Sequence, residues 1–179
     1  MKRLQLLTIA MLFFVSAGLA AADWSVWGIT QTRQDKTDEG LALYHLADQA
    51  GHAFTLTADR DPDPELVRKV GETVKHLYDW PELAVKSLQF FFQEGQFRAM
   101  VLPEKFMVGG EDVARYMPAG LTFFYTDQLS YDFRMVKDTV SMKVSGVFAN
   151  RAEFLLTVDN AVKNPLAFAS RSNHMARID

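Results

Sequence analysis

Cysteine is absent from this chain of 179 residues, and the absence closes several routes at once. There can be no disulfide, no thiol nucleophile and no thiolate metal site. A lipid anchor on a processed N-terminal cysteine is excluded with them. Asn-x-Ser/Thr acceptors are also missing, so N-glycosylation is not expected. No basic run relieves a mild acidity: 19 Lys and Arg stand against 22 Asp and Glu, a formal net charge of −3. Nucleic-acid binding draws on clustered cations to neutralise phosphates, so it fits this chain poorly. Electrostatic adsorption to anionic lipid fits poorly for the same reason. After residue 22 there is no apolar run long enough to suggest an integral membrane protein.

What is present begins at the first residue. Lys2 and Arg3 precede an apolar run over 4–15, and small residues dominate 16–22. That order matches a secretory signal peptide over 1–22, cut after Ala20 or Ala22. The run falls short of the ~20 residues that cross a bilayer as a helix. Cleavage would remove two cations and no anion, taking the formal charge from −3 to −5. The processed chain is expected to be exported and to fold on its own core as one compact domain over 23–169. Export without cysteine or glycosylation sites points to a bacterial periplasm, or to secretion from the cell.

Residues 24–32 are aromatic and β-branched and read as a first strand, followed by a polar loop over 34–40. Two strand-like runs around Ala50-Gly51 predict a hairpin over 41–59, with a helix over 41–49 as the competing reading. A two-residue loop there would put Leu41, Leu43, His45 and Ala47 on one face with Phe54, Leu56 and Ala58. Asp63-Pro64-Glu65 has the chemistry of a helix start, and Leu66, Val67, Val70, Val74 and Leu77 continue it as a stripe. Asp79-Trp80-Pro81-Glu82 reads as a second start, with Ala84, Leu88, Phe91 and Phe92 inward and a stop near Gly95. Phe90, Phe91 and Phe92 also suit a strand.

Short strands are expected over 97–102 and 106–108 around Pro103, then a helical turn over 111–116. The clearest β signal is a meander of strands over 121–126, 131–136 and 139–148. A turn at Lys137-Asp138 would place Tyr131, Phe133, Met135, Val140, Met142 and Val144 on one face, with Asp132 opposite Lys143. Asn150 and Glu153 form a capping box for a helix over 151–163 that carries Phe154, Leu155, Val158 and Val162 inward. A short last helix to Ala169 and a polar tail over 170–179 complete the chain. The two helix stripes echo each other, which leaves open two similar halves, 23–95 and 96–169.

The chemistry-bearing residues form no decisive motif. His45, Asp48 and His52 would align for a metal only on the helical reading of 41–49, and the hairpin disperses them. Asp59, Asp61, Asp63 and Glu65 alternate, but Pro64 and Val70 stand where a calcium loop needs glycine and glutamate. Six methionines follow residue 99, none closer than seven residues to another, as gap-filling core residues would be. No serine lies in a nucleophile-elbow or Ser-x-x-Lys context. No catalytic residue, metal or cofactor is assigned.

Aromatic residues are the feature that suggests binding. Phe123 and Tyr125 share one face of a predicted strand and Phe124 takes the other; Tyr131 and Phe133 follow on the next. These five form the candidate ligand or partner surface. The expected fold class is α+β: antiparallel meanders with helices packed on them. The leading functional expectation is an exported, non-catalytic module for protein interaction or envelope assembly. A carrier of a small apolar ligand held between sheet and helices is the alternative, and a cryptic hydrolase the third reading.

Overall fold

The structure, a computed structural model, describes residues 22–125 and 129–175, without the side chains of 125 and 171–175. Almost all of the expected signal segment and the last four residues of the tail lie outside this set. Among the described residues the strands are β1 (Ile29–Lys36), β2 (Ala42–Asp48), β3 (Ala53–Ala58), β4 (Leu83–Gln93), β5 (Gln96–Val108), β6 (Glu111–Asp112), β7 (Leu121–Tyr125), β8 (Leu129–Lys137) and β9 (Val140–Phe148). They pair into one sheet in the order β1-β2-β3-β4-β5-β7-β8-β9, with β6 attached to β5. Only β3 and β4 run parallel. Parallel neighbours need a crossover, and α1 (Pro64–Tyr78) supplies it. Helices α2 (Arg151–Lys163) and α3 (Pro165–Met175) follow the last strand. The result is the expected α+β class, strand-rich, in one domain.

Register sorts the sheet into two faces. Tyr44, Leu56, Phe90, Ala99, Phe123 and Tyr131 sit opposite one another from β2 to β8. All six are buried, and the helices cover this side. At its centre Phe154 of α2 lies among the rings of Trp80, Phe106, Tyr131, Phe133 and Phe148. The starts of α1 and α2 are capped as the sequence predicts. Asp63 Oδ1 accepts from the Leu66 N–H at 2.8 Å, and Asn150 Oδ1 accepts from that of Glu153 at 3.0 Å. Glu153 Oε2 takes the Ala149 N–H at 2.7 Å, one residue earlier than in a standard capping box.

The structure overturns several local expectations. Residues 24–27 form a 3₁₀ turn, capped by Asp23 and ended by Gly28 at φ +65°, and the strand begins only at Ile29. The loop expected over 34–40 shrinks accordingly, because β1 runs to Lys36. The second helix expected after Trp80 is strand β4. Leu88, Phe90 and Phe92 point inward with a period of two, whereas Ala84 is exposed and Phe91 half-buried. Ladders with β3 and β5 on its two sides decide a segment whose local propensity suited either state. The strands expected around Pro103 are one strand, with the proline opposite Val85 at a register irregularity. The last helix continues past Ala169 to Met175, so 170–175 is not a loose tail.

Two hairpins keep their expected strands but change register. Asp48 N–H bonds the His52 carbonyl at 3.1 Å, leaving a three-residue loop with Gly51 at φ +87°. One extra loop residue reverses the parity, so Tyr44 and Leu46 face the core while His45 faces outward. At the β8–β9 turn, Asp138 and Thr139 both take positive φ, and Lys137 pairs with Val140. The expected face survives this two-residue shift. Asp132 now lies opposite Ser145 and meets Lys143 diagonally at 3.1 Å.

A polar knot ties β6 to α2. Glu111 accepts from the Tyr116 hydroxyl at 2.5 Å, from Arg115, and from Lys137 Nζ at 3.1 Å. The same Nζ donates to the Val162 carbonyl at 3.0 Å in the last turn of α2. Hydrogen bonds from Tyr116, Lys137 and Arg115 hold the Glu111 carboxyl down, from 4.5 to about 2. A carboxyl lowered on folding contributes stability above its unfolded pKa and loses it as pH falls through the folded value. Glu111→Gln should therefore lower the thermal midpoint at pH 7 and flatten its decline between about pH 4.5 and 2. Melting curves across that range check it; an unchanged acid limb would sink the assignment.

Candidate functional site

The face of the sheet turned away from the helices carries the candidate surface. Leu43, Thr57, Phe91, Arg98, Phe124, Ser130 and Val147 follow one another across β2, β3, β4, β5, β7, β8 and β9, one per strand. The adjoining row runs His45, Thr55, Gln89, Met100, Thr122, Asp132 and Ser145. An antiparallel sheet with one wet face is expected to alternate apolar-in and polar-out. Over β5 to β9 the outward positions depart from that rule. Among the described residues seven large apolar side chains stay exposed, and four of them belong here: Met100, Phe124, Val136 and Val147, at 39, 36, 42 and 55%.

Cations stand among these side chains. The Arg98 guanidinium lies over the Phe91 ring at 5.2 Å from its centroid. Arg134, outward on β8, has no ion-pair partner among the described residues. Beside Phe91 and Arg98 the surface dips into a hollow of about 370 Å³, also lined by Leu41, Asp59, Gln93 and Gln96. The β4–β5 turn at its rim, Glu94-Gly95, takes positive φ at both residues and is anchored by Asp59 Oδ2, which accepts from the Glu94 N–H at 2.6 Å.

The five expected surface residues divide. Phe124 is on the uncovered face. Phe123, Tyr131 and Phe133 are buried in the helix-covered core, because alternation on β7 and β8 sends them inward. Tyr125 pairs with Leu129 in the ladder, and its side chain lies outside the described set. Sequence reasoning missed Phe91, Arg98, Met100, Val136 and Val147. For β4 and β5 the missing step was the strand assignment; for β8 and β9 the outward valines were legible but not collected.

The remaining sequence candidates resolve into local pairs. His45 bonds Asp35 at 3.0 Å and His52 bonds Asp48 at 2.7 Å, so the three residues of the metal question do not converge. Among the acidic run, Asp61 accepts from the Tyr44 hydroxyl at 3.1 Å, Asp63 caps α1 and Glu65 pairs with Arg68. Burial, with Asp61 beside it, pushes the Tyr44 hydroxyl up to about 12. Met117, Met135 and Met142 are core, whereas Met100 is outward. Comparison with protein-family models, curated proteins and solved structures finds no match for this chain.

Proposed function

We propose that this chain is an exported, non-catalytic module that binds a protein partner through the uncovered face of its sheet. The observation that carries the reading is that Met100, Phe124 and Val147, on β5, β7 and β9, and Val136 farther along β8 all stay exposed on one face that no described helix covers. Large apolar side chains left exposed among polar ones on an uncovered sheet face have the composition of an interaction site. Arg98 and Arg134 define the partner further: it presents apolar side chains flanked by carboxylates. A second copy presenting the same face would bring like cations toward Arg98 and Arg134, so these cations favour a different, acidic partner surface. The space between sheet and helices, where a carried apolar ligand would sit, is occupied around α2 by the rings packed on Phe154. Export rests on the signal-like segment, and the first residue of the exported chain should be Ala21 or Asp23 by N-terminal sequencing.

A photo-crosslinking amino acid at Phe124 or Val136 should trap one discrete protein in the exported fraction. The same group at Leu156, exposed on α2, is the control and should trap none. Phe124→Asp should abolish the crosslink from position 136 while leaving the circular dichroism spectrum unchanged. Equal trapping from 124 and 156, or a crosslink that survives Phe124→Asp, would overturn the reading.

A further inference from the structure

On the helix-covered side, the 3₁₀ turn, the end of α1 and the start of α2 border an open cleft of about 420 Å³. That size lies in the range of small-molecule sites, roughly 300–1,000 Å³. Its aromatic lining is Trp27 and Trp80, and its charged lining comes from both helices: Lys75 and Asp79 from α1, Arg151 from α2. Glu72 also borders it, but its carboxylate is held by the Arg68 guanidinium at 2.9 Å. The side chains of Lys75 and Asp79 have no hydrogen-bonding or ion-pair partner among the described residues. Among the described residues Arg151 has only a long pair, 3.9 Å to Glu82.

His76 stands between these charges. Its Nε2 is 2.9 Å from the Tyr131 hydroxyl, and its ring stacks on Phe123 with centroids 5.5 Å apart. Nδ1 bonds no described residue. Burial first, then Arg151, pushes the imidazole pKa down, while Asp79 opposes them. A cation and an anion therefore both act on one ring. The helix ends add to the same polarity, since α1 contributes its negative C-terminus and α2 its positive N-terminus. Trp80 Nε1 is buried without a partner in the wall of this cleft.

We propose that the cleft binds a free α-amino acid with a large apolar side chain, its carboxylate toward Arg151 and Lys75, its ammonium toward Asp79 and its side chain against Trp27. A simple anion would meet Asp79 uncompensated, and a simple cation would meet Arg151 and Lys75. Only a ligand carrying both charges satisfies both sides. This site is separate from the sheet face, and neither reading depends on the other.

The test is a titration of the purified protein with the twenty amino acids, followed by tryptophan fluorescence and confirmed by calorimetry. An aromatic or large aliphatic amino acid should bind, and its amide and N-acetyl derivatives should each bind at least tenfold more weakly. Asp79→Asn should weaken the free amino acid and its amide but spare the N-acetyl form. Arg151→Gln should weaken the free amino acid and the N-acetyl form but spare the amide. Both residues are exposed, so neither change endangers the fold. No binding up to about 10 mM would overturn the proposal. So would blocked derivatives that bind as tightly as the free amino acid.

Discussion

Phe154→Ala should cost about 3–5 kcal/mol, the range for removing a fully buried aromatic ring and leaving its cavity behind. The ring is inaccessible to solvent, and its centroid lies 4.1 Å from that of Tyr131 and 5.2 Å from that of Phe148. Trp80, Phe106 and Phe133 close the remaining sides. These partners come from β5, β8, β9 and the loop before β4, so they cannot collapse together into the gap. Total stabilities of domains are about 5–15 kcal/mol, and this one change removes a large share. The expected fall in the thermal midpoint is on the order of 10 °C for a domain of this size. Phe154→Leu keeps most of the volume and should cost less than half as much. Urea or thermal unfolding of both variants decides it. Equal and small losses would mean that α2 is not seated on the sheet as described.

That core also marks how far local sequence reading reaches. The 121–148 meander, α1 and α2 were legible because each combines a strong period with a recognisable cap or turn. Segment 83–93 was not: Leu83, Leu88 and three consecutive phenylalanines satisfy a helix stripe or a buried strand, and only the neighbouring strands choose. Registers were legible as faces but not as partners. In the 41–59 hairpin a single additional loop residue exchanged His45 for Tyr44 in the core. Phe124 emerged from alternation alone, since one of three consecutive aromatics must point away from the other two. The cleft around His76 was illegible, because Trp27, His76 and Arg151 come from three distant segments with no motif among them. Its one sequence trace is Gly71, a glycine inside a helix, where it costs about 0.5–1 kcal/mol relative to alanine and so signals a close approach.

That glycine carries a second large prediction, opposite in sign to the general rule. Alanine in a helix interior normally stabilises relative to glycine. At position 71 a Cβ would stand 2.7 Å from Cε3 of the Trp27 indole and closer still to Cγ and Cδ2. The ring cannot slide away cheaply, since these atoms are its base rather than its tip. The 3₁₀ turn that carries it is fixed by Asp23 at one end and by Gly28, at φ +65°, at the other. Gly71→Ala should therefore destabilise by about 1–3 kcal/mol, the usual cost of overpacking. Trp27→Ala alone should also destabilise, through lost contact with α1. In the double variant the added methyl meets no ring, and the helix recovers its ordinary preference for alanine. The two changes should then couple favourably by about 1–3 kcal/mol, within the range measured for residues in contact. Additive losses would show that Trp27 does not rest on Gly71, and the aromatic wall of the amino-acid cleft would fall with that contact. A coupled pair with unchanged unfolding of Asp79→Asn would leave the wall standing and show that the charge at its mouth does not hold the fold together.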